Sequence, residues 1–61
     1  MVYEKNECIA CKGFASLILD YEFSDYVSCR VLIEDLYSGY VVAENREKAI
    51  DIFRAGLWKR I

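Results

Sequence analysis

The chain has 61 residues, 56% of them hydrophobic, with 8 basic and 10 acidic residues, no histidine and no proline. That length holds one small domain spanning residues 1–61. A net charge of −2 without a run of Lys or Arg argues against a nucleic-acid module, which concentrates positive charge to displace counterions.

No apolar run reaches the roughly 20 residues of a membrane-spanning helix, and the start of the chain lacks a charged-then-apolar leader pattern. Three cysteines is an odd number for a disulfide scaffold. The expectation is a cytoplasmic protein with reduced thiols and no membrane partner. A typical globular protein is roughly 45–50% apolar with glycine included; this chain exceeds that without glycine. The surplus calls for burial against a second copy or another protein.

Residues 1–13 have weak periodicity and read as an irregular N-terminal segment. From Ala15 to Phe23 the pattern alternates, with Leu17, Leu19, Tyr21 and Phe23 on one face and Ser16, Ile18, Asp20 and Glu22 on the other, which is the period of a strand. Val27 to Leu36 alternates as well, with Val27, Cys29, Val31 and Ile33 sharing a face. Ser24-Asp25-Tyr26 is the turn between them. Keeping both apolar faces together sets Phe23 opposite Val27, Tyr21 opposite Cys29, Asp20 opposite Arg30 and Ile18 opposite Leu32.

Tyr37-Ser38-Gly39 reads as a second turn, with Gly39 in the left-handed position of a three-residue loop. Tyr40 to Ala43 is a third strand. Asn45 is placed to cap a helix over Arg46 to Ile61, whose stripe is Ala49, Ile50, Phe53, Leu57 and Ile61. Gly56 lets that helix approach the sheet closely. The fold class is therefore α+β, a three-stranded antiparallel meander followed by a C-terminal helix packed on one face (βββα). The covered face carries Leu17, Leu19, Tyr21, Val31 and Ile33.

One helix covers one face. The other should be wet, yet the pattern assigns it Ile18, Leu32, Leu36, Tyr40 and Val42. Three occupants compete for it: the N-terminal segment through Val2, Tyr3 and Ile9, a second copy packed sheet to sheet or edge to edge, or a different protein. Trp58 falls on the helix side away from the stripe, beside Glu47, Asp51 and Arg54. It either folds over its own helix end or anchors an interface, where tryptophan is enriched.

Chemistry is sparse. Without histidine the commonest general base is missing. Glu34 and Asp35 are neighbours on a strand and point apart, Asp20 is expected to pair with Arg30, and the serines have no base to activate them. Cys8-Ile9-Ala10-Cys11-Lys12-Gly13 resembles one knuckle of a zinc ribbon, two thiolates that take half a tetrahedral site. The resemblance covers six residues and lacks the second pair; Cys29 lies mid-strand facing the core. Closing a site needs Cys29 with a carboxylate, or knuckles from two subunits. In element order the chain is also similar to double-stranded-RNA-binding domains and to the partial RNase-H-like domains of some antitoxins, although the first of these needs an N-terminal helix and a basic second helix.

The reading is a non-catalytic protein-binding module, regulatory or inhibitory, homodimeric and without a cofactor. Its interface is Ile18, Leu32, Leu36, Tyr40, Val42 and Trp58. The alternatives are a zinc-stabilised module using Cys8 and Cys11, and an RNA-associated antitoxin-like domain.

Overall fold

The computed structural model describes the backbone of residues 3–61 and the side chains from Glu7 onward. Five strands form a single antiparallel sheet in the order of the chain: β1 (Tyr3–Lys12), β2 (Ala15–Glu22), β3 (Val27–Ile33), β4 (Leu36–Ala43) and β5 (Lys59–Arg60). One helix, α1 (Arg46–Arg54), lies between β4 and β5 and packs on one face. This corrects the expected βββα meander: there are two more strands, a shorter helix and a mostly β architecture.

The first extra strand is the segment expected to be irregular. Tyr3–Lys12 pairs antiparallel with β2, from Tyr3 opposite Glu22 to Lys12 opposite Ala15, with irregularities between Glu4 and Glu7 and between Cys8 and Ala10. These irregularities hid the strand, because each shifts the alternation by a residue. Residues 3–12 thus extend the sheet sideways instead of crossing its open face, and Ile9 packs against the core. Val2 lies outside the described residues.

The β2–β3 hairpin forms with a register two residues from the expected one: Ser16 faces Leu32, Ile18 faces Arg30 and Leu19 faces Cys29. A slip of two preserves the faces, so Leu17, Leu19, Cys29 and Val31 still point into the core. The slip has a cause in the loop. The Phe23 amide donates to the Tyr26 carbonyl at 2.8 Å, and the two rings stack with centroids 4.3 Å apart, so Phe23 and Tyr26 belong to the turn. A bulge between Leu19 and Tyr21 then sets Tyr21 opposite Ser28 and Glu22 opposite Val27. Tyr21 therefore leaves the core face on which the alternation placed it. Asp20 pairs with Arg30 at 3.3 Å, diagonally and not directly across.

The β3–β4 turn is Glu34-Asp35, enclosed by the Ile33–Leu36 pair. Both residues have positive φ, 51° and 67°, the conformation of the tight two-residue hairpin loop that Asn-Gly usually supplies. The expected turn at Tyr37-Ser38-Gly39 is instead part of β4. Gly39 faces Val31, and its missing side chain makes room for Trp58.

Asn45 caps α1 as expected, its Oδ1 accepting from the Lys48 amide at 2.9 Å. Ala49 and Phe53 are buried against the sheet. The helix stops at Arg54, seven residues before the expected end at Ile61, and Gly56 is the reason. At φ 74° it is the left-handed residue of a Schellman cap: its amide donates to Phe53 and that of Leu57 to Ile52. The chain then turns back, buries Trp58 and adds β5 beside Gly39 and Tyr40. Leu57 and Ile61, expected in the buried stripe, are exposed. Lys12 fixes the helix end by donating to the Arg54 carbonyl at 2.7 Å, a cation at the negative pole of the helix.

The core is thus Leu17, Leu19, Val27, Cys29, Val31 and Val41 from the sheet, with Ala10 from β1, Ala49 and Phe53 from α1, and Trp58. All of it lies on the α1 side.

Candidate functional site

The strand registers build the open face row by row. Cys11, Ser16, Leu32 and Tyr37 form one row across β1 to β4. Cys8, Ile18, Arg30, Tyr40 and Lys59 form a second, reaching β5. Tyr21, Ser28 and Val42 form a third. Helix α1 packs on the opposite side, against β1, β3 and β4.

Within this face Ile18 and Leu32 are half-buried by their neighbours, while Tyr40 and Val42 are exposed at 40% and 53%. Arg30 stands at the centre between Ile18 and Tyr40, its charge met by Asp20. The surface therefore combines aliphatic and tyrosine area with one guanidinium held in place, the composition that distinguishes the core of protein interfaces.

Of the residues the sequence nominated, Ile18, Leu32, Tyr40 and Val42 come together here. Leu36 does not: it pairs with Ile33, which places it on the α1 side at the hairpin tip, 70% exposed. Trp58 is also on the α1 side. It is only 9% exposed, lies over Gly39 and carries the Arg60 guanidinium 4.2 Å above its ring. Sequence reasoning missed Tyr37, assigned to a turn, and Tyr21, turned outward by a bulge. The alternation carried no signal for Tyr37: counted back from Val42 and Tyr40 it reaches Ser38 and Leu36, and only the irregularity between Gly39 and Tyr37 brings Tyr37 to the open face.

On the other side Arg46, at the start of α1, bridges Glu22 at 3.1 Å and Glu7 at 3.4 Å. These contacts, Glu22 foremost, hold its guanidinium above the ordinary arginine range. They tie the helix to β1 and β2 and leave the open face clear.

The thiols separate into two environments. Cys29 is fully buried, and burial, reinforced by the Asp20 carboxylate, pushes its thiol up to about 11. Cys8 and Cys11 are exposed on the border of the open face, facing Ile18 and Ser16. Three residues apart, they would point to opposite faces of a regular strand. The irregularity between Cys8 and Ala10 absorbs one residue and brings both sulfurs to the same side, 3.5 Å apart. The Cys11 thiol beside it, with some desolvation, raises Cys8 above the usual thiol range. Among the described residues no group of three or more His, Cys, Asp or Glu side chains is placed to hold a metal ion. Nor is any described helix long and apolar enough to cross a membrane.

Comparison with family models, with curated proteins and with solved structures gives no match. The open face and the Cys8–Cys11 pair are therefore interpreted from their own geometry.

Proposed function

We propose that this chain is a small non-catalytic protein-binding module that acts by stoichiometric contact, with a regulatory or inhibitory role, and that it works as a homodimer. Its contact surface is the open sheet face centred on Ile18, Leu32, Tyr40 and Val42, with Tyr37 and Tyr21 beside them. The observation that carries this reading is the row pattern: apolar and tyrosine side chains adjoin one another across three strands on the side that α1 leaves bare. Monomers seldom expose such grouped apolar area without using it. The homodimer is supported by β1, a ten-residue strand at one edge of the sheet and so open to pairing.

A photo-crosslinking residue placed at Tyr40, in the cells that express the protein, tests the contact surface. It should yield a discrete crosslinked species, and Leu32→Asp should abolish it. The same probe at Glu47, exposed on α1, serves as the control. Equal or absent crosslinking at the two positions would refute the reading.

A further inference from the structure

The Cys8–Cys11 pair has the spacing of a metal half-site. Two sulfurs bound tetrahedrally at about 2.3 Å from zinc stand roughly 3.8 Å from each other. Here they are 3.5 Å apart. A disulfide requires about 2.05 Å, a closure of roughly 1.5 Å in a strand already pinned by its ladder to β2. The geometry is nearer to chelation than to oxidation.

Two thiolates leave two positions to fill, and the described residues of one chain offer no third ligand. The edge position of β1 supplies them. Let two β1 strands pair antiparallel with the two-fold between Ile9 and Ala10. Cys8 then lies opposite Cys11 of the second copy, and Cys11 opposite its Cys8. Side chains directly opposite one another in such a pair have Cβ atoms about 5 Å apart, within reach of one ion. The same register sets Glu7 opposite Lys12 at both ends, an opposite-charge match. The faces agree as well. Cys8 and Cys11 share the open side, and Glu7 and Lys12 share the other, because of the same irregularity in β1.

We propose that Cys8 and Cys11 from two copies of this chain, joined along β1, bind one zinc ion as a four-thiolate site. The proposal rests on the homodimer in the reading above and specifies how its copies meet. Binding exchanges four thiol protons for one Zn²⁺ and leaves the cluster with a net charge of −2; no electrons are transferred. Joining β1 edges makes one continuous sheet and sets the two open faces side by side for a partner.

Reduced, metal-free protein titrated with Co²⁺ tests the site. The charge-transfer and visible bands of a tetrahedral thiolate complex should saturate at one cobalt per two chains and vanish on adding zinc. With zinc, the light-scattering mass should double from the 7.1 kDa of one chain and fall back with chelator. Cys8→Ser and Cys11→Ser each alter an exposed side chain; both should retain a cooperative melt and lose the bands, whereas Cys29→Ala should keep them. A dimer that persists in chelator with no cobalt spectrum would overturn the metal site and leave the homodimer standing. Saturation at one metal per chain on a monomer would overturn both the shared site and the dimer.

Discussion

Trp58 packs its ring on the backbone of Gly39. A Cβ built there would run into ring atoms Cε3 and Cζ3 and into the Lys59 carbonyl. Glycine in the middle of a strand weakens it. Here that weakness is offset by a buried indole and by the short strand that follows it. The contact also explains why the chain reverses after Gly56, since the turn delivers Trp58 to the one position on β4 without a side chain.

Gly39→Ala should therefore displace Trp58 and β5. The overpacking cost is about 1–3 kcal/mol, with the loss of the ladder at Gly39 and Tyr40 added to it. The melting temperature should fall, and the emission of the only tryptophan should shift to the red. An unshifted spectrum at unchanged stability would show that the ring does not rest on this glycine.

Glu34 and Asp35 both occupy positive φ, where residues with side chains are disfavoured. Glu34→Asn combined with Asp35→Gly supplies the pair this turn favours and should stabilise the protein by about 1 kcal/mol. Urea denaturation checks it: the midpoint should rise with the slope unchanged. A lower midpoint would place the hairpin turn elsewhere.

Cys29 should be the slow thiol. At neutral pH Cys8 and Cys11 should react promptly with an alkylating reagent, and Cys29 only as the protein unfolds. Stability should also fall in alkali. The folded thiol titrates near 11, above its ordinary value of 9.0, so the neutral form favours the fold below pH 9. That contribution is lost as pH rises from 9 towards 11, by roughly 2 kcal/mol. Denaturation midpoints for the parent protein and Cys29→Ala should converge over that range. Parallel curves would show that Cys29 ionises as readily folded as unfolded.

Much of this fold is legible in the chain because alternation is a local signal. Leu17, Leu19, Cys29 and Val31 fall on the core face whatever the register, as an even slip preserves faces. Asn45 announces its helix through a short-range hydrogen bond. What is not legible comes from elements that break period or reverse direction. β1 carries two irregularities and so lacks a clean alternation. Tyr21 is turned outward by a bulge that its own residues do not mark. The Glu34-Asp35 loop uses residues that rarely adopt its conformation. Gly56 fits either a close helix approach or a helix stop, and only the return of Trp58 to Gly39 decides between them. For the candidate site, Ile18, Leu32, Tyr40 and Val42 could be read from periodicity. Leu36 could not be excluded nor Tyr37 included, because both depend on where a two-residue turn falls.

The central claim is that the face bearing Ile18, Leu32 and Tyr40 is covered by protein when the molecule is at work. Hydroxyl-radical footprinting tests it directly, comparing dilute purified protein with protein inside the cells that express it. Oxidation of Tyr37 and Tyr40 should drop several-fold in the cell, while Phe14, exposed at the β1–β2 turn, keeps its rate. Equal labelling of Tyr40 in the two settings would contradict the account.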